Sequence, residues 1–380
     1  MIPASRIFFD NGPDGQACLF EGPSYIIEVW DPADVETALN QVQAALDGDQ
    51  WVAGFASYEL GYVLEPKLHK LLPVSRRMPL MVWAVFDGPV SGVPIQTLAA
   101  ISVQLSKPEP LWDETAYAEA FAKVAAYIAA GDIYQTNLTF PMTAKWAGDP
   151  WALYQKLSAY QSVGHGAFVD LGAGPVILSR SPELFFEIDA QGRISTRPMK
   201  GTLPRGATEA EDHAFKTWLS KDIKNRAENL MIVDLLRNDI SRVAQTGSVR
   251  VPELFHVESY ATVHQMTSLV EADLQKGVGF TDILKALFPC GSITGAPKIR
   301  AMEIIHALEP EARDVYCGSI GWFAPDGRAG MNVAIRTISL FEGGQARLNV
   351  GGGVVYDSTA RSEYEEALWK ARYADLSLMN

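Results

Sequence analysis

The sequence predicts an α+β fold built on large, mainly antiparallel sheets, and three observations favour this class. Strand-like and helical segments alternate irregularly along the 380 residues, without the regular rhythm that a parallel, doubly wound sheet requires. Two β-prone runs joined by Gln191 and Gly192 are typical of an antiparallel hairpin. The chain is 48% hydrophobic, which is enough to bury a sizeable core as one large domain or two.

The first part of the chain is predicted to form short strands and two helices. Residues 106–110, Ser-Lys-Pro-Glu-Pro, are typical of a connector. We therefore expect an N-terminal region over 1–105 that contributes to the same fold, and a second unit over 111–380. From the N-terminus, the predicted elements are a strand over 25–30, a helix over 34–46, a strand over 80–86, a helix over 115–130 that stops at Gly131, and a strand over 132–140.

The second unit continues with a loop of small residues, Gly-Ser-Ile-Thr-Gly-Ala-Pro-Lys at 291–298. The proline suits the first turn of a helix. Backbone N–H groups at such a helix start attract carboxylates or phosphates, although a plain tight turn has the same pattern. The other predicted elements are a hairpin over 176–201, a helix over 221–237, a helix over 299–308, strands over 318–323, 331–340 and 348–350, and a terminal helix over 362–370.

The net charge and the cysteine content limit the binding partners and the cellular compartment that the sequence is compatible with. The formal net charge is −13, which argues against a nucleic-acid or anionic-membrane surface, because both need a basic face. The three cysteines, Cys18, Cys290 and Cys317, have no spacing typical of a disulfide framework or a zinc site, so we expect buried thiols in a reducing compartment. Without a signal peptide or a run of 18 apolar residues, the chain is expected to be cytoplasmic, with no membrane span.

The predicted hairpin brings a carboxylate and an amine together. If Gln191 and Gly192 form a two-residue turn, residues whose numbers sum to 383 face each other, and Glu183 and Lys200 satisfy that sum. Directly opposed residues have Cβ atoms about 5 Å apart. Such a pair supplies an acid or base and a nucleophile. A solvated surface ion pair has the same pattern, and Pro198 interrupts regular pairing nearby.

A second group of charged residues lies on two predicted helices. Glu363, Glu366 and Lys370 follow at i, i+3 and i+7 on one helical face, and Glu228 lies on another helix. The carboxylates are hard oxygen ligands of the kind that Mg²⁺ prefers. The glycine run 351–353 just upstream favours close approach of a ligand to the backbone. A solvated helix face with a Glu366–Lys370 ion pair is the alternative interpretation.

Two further residues also have more than one interpretation. Arg336 lies in an otherwise apolar predicted strand, so its guanidinium needs a carboxylate partner, either from the protein or from a substrate. His264 is a candidate catalyst, although a buried histidine more often has a structural role.

Six separate motifs between residues 112 and 375 resemble those of the chorismate-utilising enzymes. The resemblance implies a sandwich of two large sheets with helices on the outside, as in component I of anthranilate synthase. It also implies that the unit over 111–380 is a chorismate-binding catalytic domain. The motifs are Gly-Asp-Ile-Tyr-Gln-Thr-Asn-Leu at 131–138, Ser-Pro-Glu at 181–183, Arg-Pro-Met-Lys-Gly-Thr at 197–202, Ala-Glu-Asn-Leu-Met-Ile-Val-Asp-Leu-Leu-Arg-Asn-Asp at 227–239, Gly-Ser-Ile-Thr-Gly-Ala-Pro-Lys at 291–298 and Gly-Gly-Gly-Val-Val-Tyr-Asp-Ser at 351–358.

Two positions are similar to the branch of that family that leads to para-aminobenzoate and folate. Relatives that make anthranilate resemble Pro-Ile-Ala-Gly-Thr where this chain has Pro-Met-Lys-Gly-Thr at 198–202. The lysine, Lys200 here, acts as a covalent nucleophile in the para-aminobenzoate branch. The isochorismate and salicylate branch carries a water-activating lysine where Gln135 stands. The resemblance therefore implies that chorismate and ammonia are converted to 4-amino-4-deoxychorismate.

The resemblance also implies how the reaction is catalysed. Lys200 attacks the ring while Glu183 protonates the departing hydroxyl, and His264 lies near that hydroxyl. Ammonia then displaces the lysine. The expected cofactor is Mg²⁺, which binds the ring carboxylate. Its implied ligands are three carboxylates, Glu228 and Glu366 directly and Glu363 through water.

The remaining implied site residues bind the substrate. Arg336 and Tyr316 clamp the enolpyruvyl carboxylate, and Lys370 adds positive charge. Backbone N–H groups near Thr294 and Gly352 are further donors. The full set of implied substrate-binding residues is Gln135, Thr294, Tyr316, Arg336, Gly352 and Lys370.

The sequence has no recognisable amidotransferase motif. Ammonia is therefore expected from a separate glutaminase subunit or from free ammonium, and the product is expected to pass to an aminodeoxychorismate lyase. The alternatives are an anthranilate synthase component I, an isochorismate synthase and, more distantly, a non-catalytic chorismate-binding subunit. The last is disfavoured because residues suited to an acid and a nucleophile stand at both catalytic positions.

Overall fold

Two large sheets form the centre of the molecule. The computed structural model describes residues 5–93, 102–260 and 263–379. Within these ranges the first sheet has eleven strands and the second has ten. The strands of the first sheet are β1 (Arg6–Phe9), β2 (Cys18–Glu21), β6 (Val90–Ser91), β7 (Gln104–Leu105), β8 (Glu109–Pro110), β9 (Gln135–Ala147), β10 (Ala167–Asp170), β11 (Val176–Ser179), β17 (Gly295–Ala296), β20 (Thr337–Phe341) and β21 (Gln345–Val354). The strands of the second sheet are β3 (Tyr25–Val29), β4 (Trp51–Ala56), β5 (Met81–Phe86), β12 (Leu184–Ile188), β13 (Arg193–Thr196), β14 (Met199–Pro204), β15 (Arg250–Ser259), β16 (Val263–Asp273), β18 (Ser319–Phe323) and β19 (Ala329–Asn332).

The two sheets are antiparallel and draw strands from both ends of the chain. The first runs in the order β17-β9-β21-β20-β11-β10-β1-β2-β6, and β7 and β8 also pair with β9. The second runs in the order β14-β16-β13-β12-β19-β18-β4-β5-β3, and β15 also pairs with β16. The two N-terminal strands β1 and β2 lie in the first sheet, whereas β3, β4 and β5 lie in the second.

Helices cover the outer faces of both sheets. One apolar cluster lies between the sheets and contains Phe9, Phe20, Val82 and Ile320. A second joins the first sheet to the helices over 114–129, 150–160 and 360–370. A third joins the second sheet to the helices over 35–47, 223–241 and 280–287, which confirms the predicted sandwich. In the described residues, no helix combines the length and apolar character needed to cross a membrane. The helices are α1 (Val35–Asp47), α2 (Leu60–Leu64), α3 (Glu114–Ala129), α4 (Pro150–Tyr160), α5 (Glu209–Lys221), α6 (Ile223–Ser241), α7 (Phe280–Leu287), α8 (Lys298–Leu308) and α9 (Ala360–Lys370).

Side-chain caps fix where the two carboxylate-bearing helices begin. Asp222 precedes α6, and its carboxylate accepts a hydrogen bond of 2.9 Å from the backbone N–H of Asn225. Thr359 precedes α9, and its hydroxyl accepts a hydrogen bond from the backbone N–H of Ser362. Each cap satisfies a backbone donor that the first helical turn leaves free, so these residue types set the helix starts.

The predicted hairpin exists, but its predicted register is wrong. Glu187 opposes Ser195 and Ile188 opposes Ile194, so opposed residue numbers sum to 382. The turn is longer than two residues, since the N–H of Asp189 donates to the carbonyl of Arg193. Gly192 has a φ of +75° in this turn, a conformation that glycine adopts without steric cost.

The strand predicted over 331–340 is two strands in different sheets. β19 ends at Asn332 in the second sheet, and β20 begins at Thr337 in the first. Arg336 therefore lies in the segment that crosses between the sheets, with a φ of +50°, and not inside a regular strand as predicted. The sequence prediction also missed α5, whose buried apolar face is small: Leu219 is its buried residue.

Candidate active site

Glu183 and Lys200 lie close enough for their charges to interact, although they are not partners in a β-ladder. Glu183 directly precedes β12, is 6% exposed and receives a backbone hydrogen bond of 3.0 Å from Val333. Lys200 lies in β14, which pairs with β16 and not with β12. The structure thus brings the predicted acid and nucleophile together by a different route from the predicted register.

The environment shifts the pKa values of this pair in opposite directions. Burial raises the pKa of Glu183, against the hydrogen bond from Ser292 and the positive charges of Lys200, Lys370 and Arg336. Burial lowers the pKa of Lys200, against the negative charges of Glu228 and Glu183. The carboxyl therefore keeps its proton to a higher pH than usual, and the amine loses its proton at a lower pH. These are the states that a general acid and an amine nucleophile need.

Because Gly353 has no side chain, the backbone of β21 can lie close to the amine of Lys200. A Cβ atom at Gly353 would lie 2.7 Å from Nε2 of Gln135 and 3.2 Å from Nζ of Lys200. The side chain of Gln135 is fully buried, and neither its Nε2 nor its Oε1 has a hydrogen-bond partner in the described residues. A buried amide without partners is costly, so this amide is available for a ligand beside the amine.

Gly352 faces the charged residues of α9. A Cβ atom there would lie 3.2 Å from Oε2 of Glu363, 3.3 Å from Nζ of Lys370 and 3.9 Å from Oε1 of Glu366. Lys370 pairs with Glu366 at 2.7 Å and donates a hydrogen bond of 3.0 Å to the carbonyl of Gly351. Glycine at this position therefore leaves an open space lined by two carboxylates and an amine.

Glu228 of α6 completes this group of charges. Burial raises the pKa values of Glu228 and Glu363, and the negative charge of Glu366 raises both further. As the side chains stand, no set of three or more His, Cys, Asp or Glu residues within the described ranges is arranged to hold a metal ion. The donor chemistry nevertheless fits a hard divalent cation, because mutually repelling carboxylates border the space that Gly352 leaves open.

The loop 291–298 packs against both Glu183 and β9. The hydroxyl of Ser292 hydrogen-bonds the Glu183 carboxyl, a contact that the sequence prediction missed although Ser292 lies in one of the motifs. Thr294 is fully buried, its hydroxyl donates to the carbonyl of Cys290 at 3.1 Å, and its N–H donates to Gly291. Both Thr294 donors are therefore used by backbone carbonyls at or just before the start of the loop. Lys298 anchors the loop to α6 through an ion pair of 2.6 Å with Asp239.

A buried arginine that the sequence prediction missed supports the same loop. Arg313 pairs with Glu309 at 2.7 Å and donates hydrogen bonds to the carbonyls of Ile293 and Asn137. It thereby links the loop to β9, which begins with Gln135. No motif indicated this role, because the contact joins elements that are far apart in sequence.

Arg336 is half-buried and makes no ion pair within the part of the chain that the structure describes. Burial lowers the pKa of its guanidinium, while Tyr373 and Glu183 act in the opposite direction. Tyr316, its predicted partner, is also buried, but the groups that act on its phenol are Cys317, Arg313 and Glu309. The structure therefore places Arg336 close enough to Glu183 for their charges to interact, and does not show it next to Tyr316.

His264 does not join the other predicted catalytic residues. Its Nε2 contacts Asp212 at 2.9 Å and its Nδ1 contacts Ser259 at 2.9 Å. The ring is fully buried on β16, where the residue opposite is Leu203. With both ring nitrogens occupied by these two side chains, the contacts are those of a structural histidine.

Comparisons with known proteins agree with this fold and these motifs. The family model of the chorismate binding enzymes matches residues 96–374, and the chain belongs to that family. It is 48% identical over 254 residues to an aminodeoxychorismate synthase component 1 from Klebsiella aerogenes, covering 67% of this chain and 56% of that protein. It is 40% identical over 294 residues to an anthranilate synthase component 1 from Thermus thermophilus, covering 77% of this chain and 62% of that protein.

A solved structure extends the similarity of fold to the whole chain. Component I of anthranilate synthase from Streptococcus pneumoniae superposes with a TM-score of 0.78 at 25% identity, covering 100% of this chain and 93% of that one. The chain spans little more than half the length of the Klebsiella relative. The similarity to the chorismate-utilising enzymes that the motifs indicated is thus confirmed.

Proposed function

We propose that this chain is an aminodeoxychorismate synthase component I, which converts chorismate and ammonia to 4-amino-4-deoxychorismate. One observation carries the proposal: the buried Lys200 amine and the buried Glu183 carboxyl lie close enough for their charges to interact, and burial lowers the pKa of the amine and raises the pKa of the carboxyl. The higher identity to the aminodeoxychorismate synthase relative than to the anthranilate synthase relative supports the same branch.

The proposed reaction has two displacement steps. The neutral amine of Lys200 forms a bond to the chorismate ring, the ring double bond shifts, and the C–O bond to the ring hydroxyl breaks. Glu183 donates its proton to that oxygen, which leaves as water, because hydroxide is a poor leaving group. Ammonia then bonds to the carbon that lost the hydroxyl, the double bond shifts back, and the amine of Lys200 departs. The amine and the carboxyl return to their starting states after proton transfer.

The charged residues around this pair suit a dicarboxylate substrate. We assign Arg336 and Lys370 to the substrate carboxylates, and the backbone near Gly352 to a further contact. Thr294 and Tyr316, which the resemblance also implied, are left out of the assignment because their polar groups already have partners within the protein. Glu228 and Glu366 would hold Mg²⁺, with Glu363 acting through water. The ion would supply positive charge for the ring carboxylate. His264 has no part in the proposed chemistry, because Asp212 and Ser259 occupy its ring nitrogens.

Ammonia would come from a separate glutaminase subunit or from free ammonium. The word "component" in the names of relatives supports a partner subunit. The buried, unpartnered amide of Gln135 lies next to the position of Lys200 and offers an acceptor oxygen to ammonia. The product would be the substrate of an aminodeoxychorismate lyase, in the pathway to folate in the cytoplasm.

The proposal is tested by identifying the product. Incubation with chorismate, Mg²⁺ and ammonium, followed by chromatography and mass spectrometry, should give 4-amino-4-deoxychorismate. Adding the downstream lyase should then yield para-aminobenzoate. Anthranilate or isochorismate as the main product would overturn the proposed branch, and unchanged chorismate would indicate a binding subunit.

A further inference from the structure

A buried ion pair joins the end of β1 to the segment that leads to Glu183. The side chain of Arg180 is 1% exposed, and its Nη1 lies 2.6 Å from Oδ2 of Asp10, 170 residues away in the sequence. The hydroxyl of Tyr154 on α4 donates to Oδ1 of Asp10 at 2.6 Å and accepts from Nη1 of Arg180 at 3.0 Å. The same guanidinium donates to the carbonyl of Gln161 at 2.8 Å. Arg180 is therefore bound by groups from three separate parts of the chain.

The lack of a side chain at Gly166 leaves room for this ion pair. The N–H of Asp10 donates to the carbonyl of Gly166 at 3.0 Å, so the two backbones lie side by side. A Cβ atom at Gly166 would overlap both the carboxylate of Asp10 and the guanidinium of Arg180. Because removal of one member of a buried ion pair leaves the other charge uncompensated, the position of Arg180 depends on Asp10.

Arg180 begins one of two adjacent segments that cross between the sheets. The segment from Arg180 to Glu183 connects β11 in the first sheet with β12 in the second. The segment from Val333 to Arg336 connects β19 in the second sheet with β20 in the first. The N–H of Arg180 donates to the carbonyl of Arg336 at 2.9 Å. At the other end, the N–H of Val333 donates to the carbonyl of Glu183 at 3.0 Å, so the two crossings are held together at both ends.

Ser181 links the position of Arg180 to that of Glu183. Its side chain is fully buried, and its hydroxyl donates to the carbonyl of Val333 at 2.6 Å. The same hydroxyl accepts from the N–H of Glu183 at 3.2 Å. The carbonyl of Ser181 accepts from the N–H of His165 at 3.1 Å. A shift of Arg180 therefore moves the backbone from which the Glu183 carboxyl extends.

We propose that Asp10 and Arg180 are positioning residues for Glu183, the acid of the proposed reaction. Their ion pair fixes the start of the crossing segment, and Ser181 fixes the backbone N–H of Glu183. The carboxyl is thereby held where it can donate its proton to the departing oxygen. Neither Asp10 nor Arg180 takes part in the chemistry itself. The inference rests on the proposed function, because it takes Glu183 as the general acid.

Asp10→Asn nearly keeps the shape of the side chain and removes the charge that pairs with Arg180. With chorismate, Mg²⁺ and ammonium, kcat should fall on the order of tenfold, and by more than KM rises, because general-acid catalysis depends on the placement of the proton donor. The high-pH limb of kcat/KM should begin about half a pH unit lower, since a loosened segment admits water to Glu183 and lowers its raised pKa. A role in stability alone would lower the melting temperature and leave this limb unmoved.

The matched control is Glu311→Gln. Glu311 pairs with the buried guanidinium of Arg347 at 2.6 Å, so this substitution also removes the charge that pairs with a buried arginine. It should lower the melting temperature and leave both kcat and the high-pH limb of the folded protein unchanged. Tyr154→Phe is a second test variant, because it keeps the ion pair and removes the hydroxyl that bridges Asp10 and Arg180. It should shift the limb in the same direction by a smaller amount.

The outcomes separate the inference from the proposed function. If Asp10→Asn and Tyr154→Phe match Glu311→Gln in kcat and in the high-pH limb, the inference alone is overturned. Absence of chorismate turnover by the unmodified protein would overturn the inference and the proposed function together. If Asp10→Asn does not fold, Tyr154→Phe is judged by the same comparison.

Discussion

A Cβ atom at Gly353 would lie 3.2 Å from the amine nitrogen of Lys200. It would also lie 2.7 Å from Nε2 of Gln135, closer than unbonded atoms tolerate. Both atoms are at the ends of flexible side chains, so an added methyl group moves the side chains and not the backbone. The absence of a side chain at Gly353 therefore allows the amine of Lys200 and the amide of Gln135 to stay where they are.

We expect Gly353→Ala to lower kcat/KM on the order of 100-fold while the protein stays folded, because small misplacements of reacting groups are costly. Steady-state kinetics and a thermal melt measure the two effects. Gly164→Ala is the control, since a Cβ atom there meets nothing within 4 Å. Equal activity of the two variants would show that the close approach at Gly353 is not needed for catalysis.

The carboxylates of α6 and α9 should determine the affinity for Mg²⁺. Glu228→Gln and Glu366→Gln should each raise the Mg²⁺ concentration needed for half-maximal activity, on the order of tenfold, because each removes a charged oxygen ligand. Direct titration with Mg²⁺ by calorimetry provides a readout independent of turnover. Glu365→Gln is the control, because Glu365 is exposed on α9 and pairs with Arg361. A variant of Glu228 that responds fully to Mg²⁺ would remove this residue from the proposed site.

The buried carboxyl of Glu59 should make stability depend on pH. Its Oε1 accepts a hydrogen bond of 2.7 Å from the N–H of Arg313, and its Oε2 has no partner in the described residues. The pKa of Glu59 is raised from an ordinary value of 4.5 to about 8. Burial is the larger cause, and the negative charge of Asp314 is the second. The folded state thus holds this proton more tightly than the unfolded state does. The stabilisation is complete below pH 4.5 and is lost as the pH rises through about 8.

Glu59→Gln should remove this dependence, because glutamine stays neutral and keeps the acceptor oxygen. Urea unfolding between pH 5 and 9 should show that the unmodified protein loses about 4 kcal/mol more than the variant across this range. The control Glu187→Gln changes an exposed carboxyl and should keep the full slope. Equal slopes for the Glu59 variant and the unmodified protein would contradict the assignment.

The sequence predicted the class of fold and the motifs correctly, but it did not predict the strand register or the path of the chain between the sheets. Helical and strand periodicities are local, so α1, α3 and α8 begin and end near the predicted residues. The hairpin register was wrong because it depends on one extra turn residue, and a shift by one residue reverses which face each side chain occupies. Local patterns also could not show that the 331–340 run crosses between the sheets.

The candidate site depends on contacts between distant segments. Gly353 meets Lys200 and Gln135 because β21 pairs with β9, which fixes Gly353 opposite Asn137. Neither the residue spacing nor the charge pattern of the sequence predicts the contact of Gly353 with Lys200 and Gln135. The same holds for Arg313, whose position depends on tertiary packing. For His264, residue type suggested chemistry, whereas in the structure Asp212 and Ser259 contact its two ring nitrogens.

The covalent role of Lys200 is the central claim. Lys200→Ala should lower turnover by more than about 1,000-fold, because the first displacement then lacks its nucleophile. Intact-protein mass spectrometry with chorismate and Mg²⁺, without ammonium, tests the role directly. We predict an added mass equal to chorismate minus water, located on the peptide that contains Lys200 and absent from Lys200→Ala. No adduct on the unmodified protein, together with undiminished turnover by Lys200→Ala, would contradict the account.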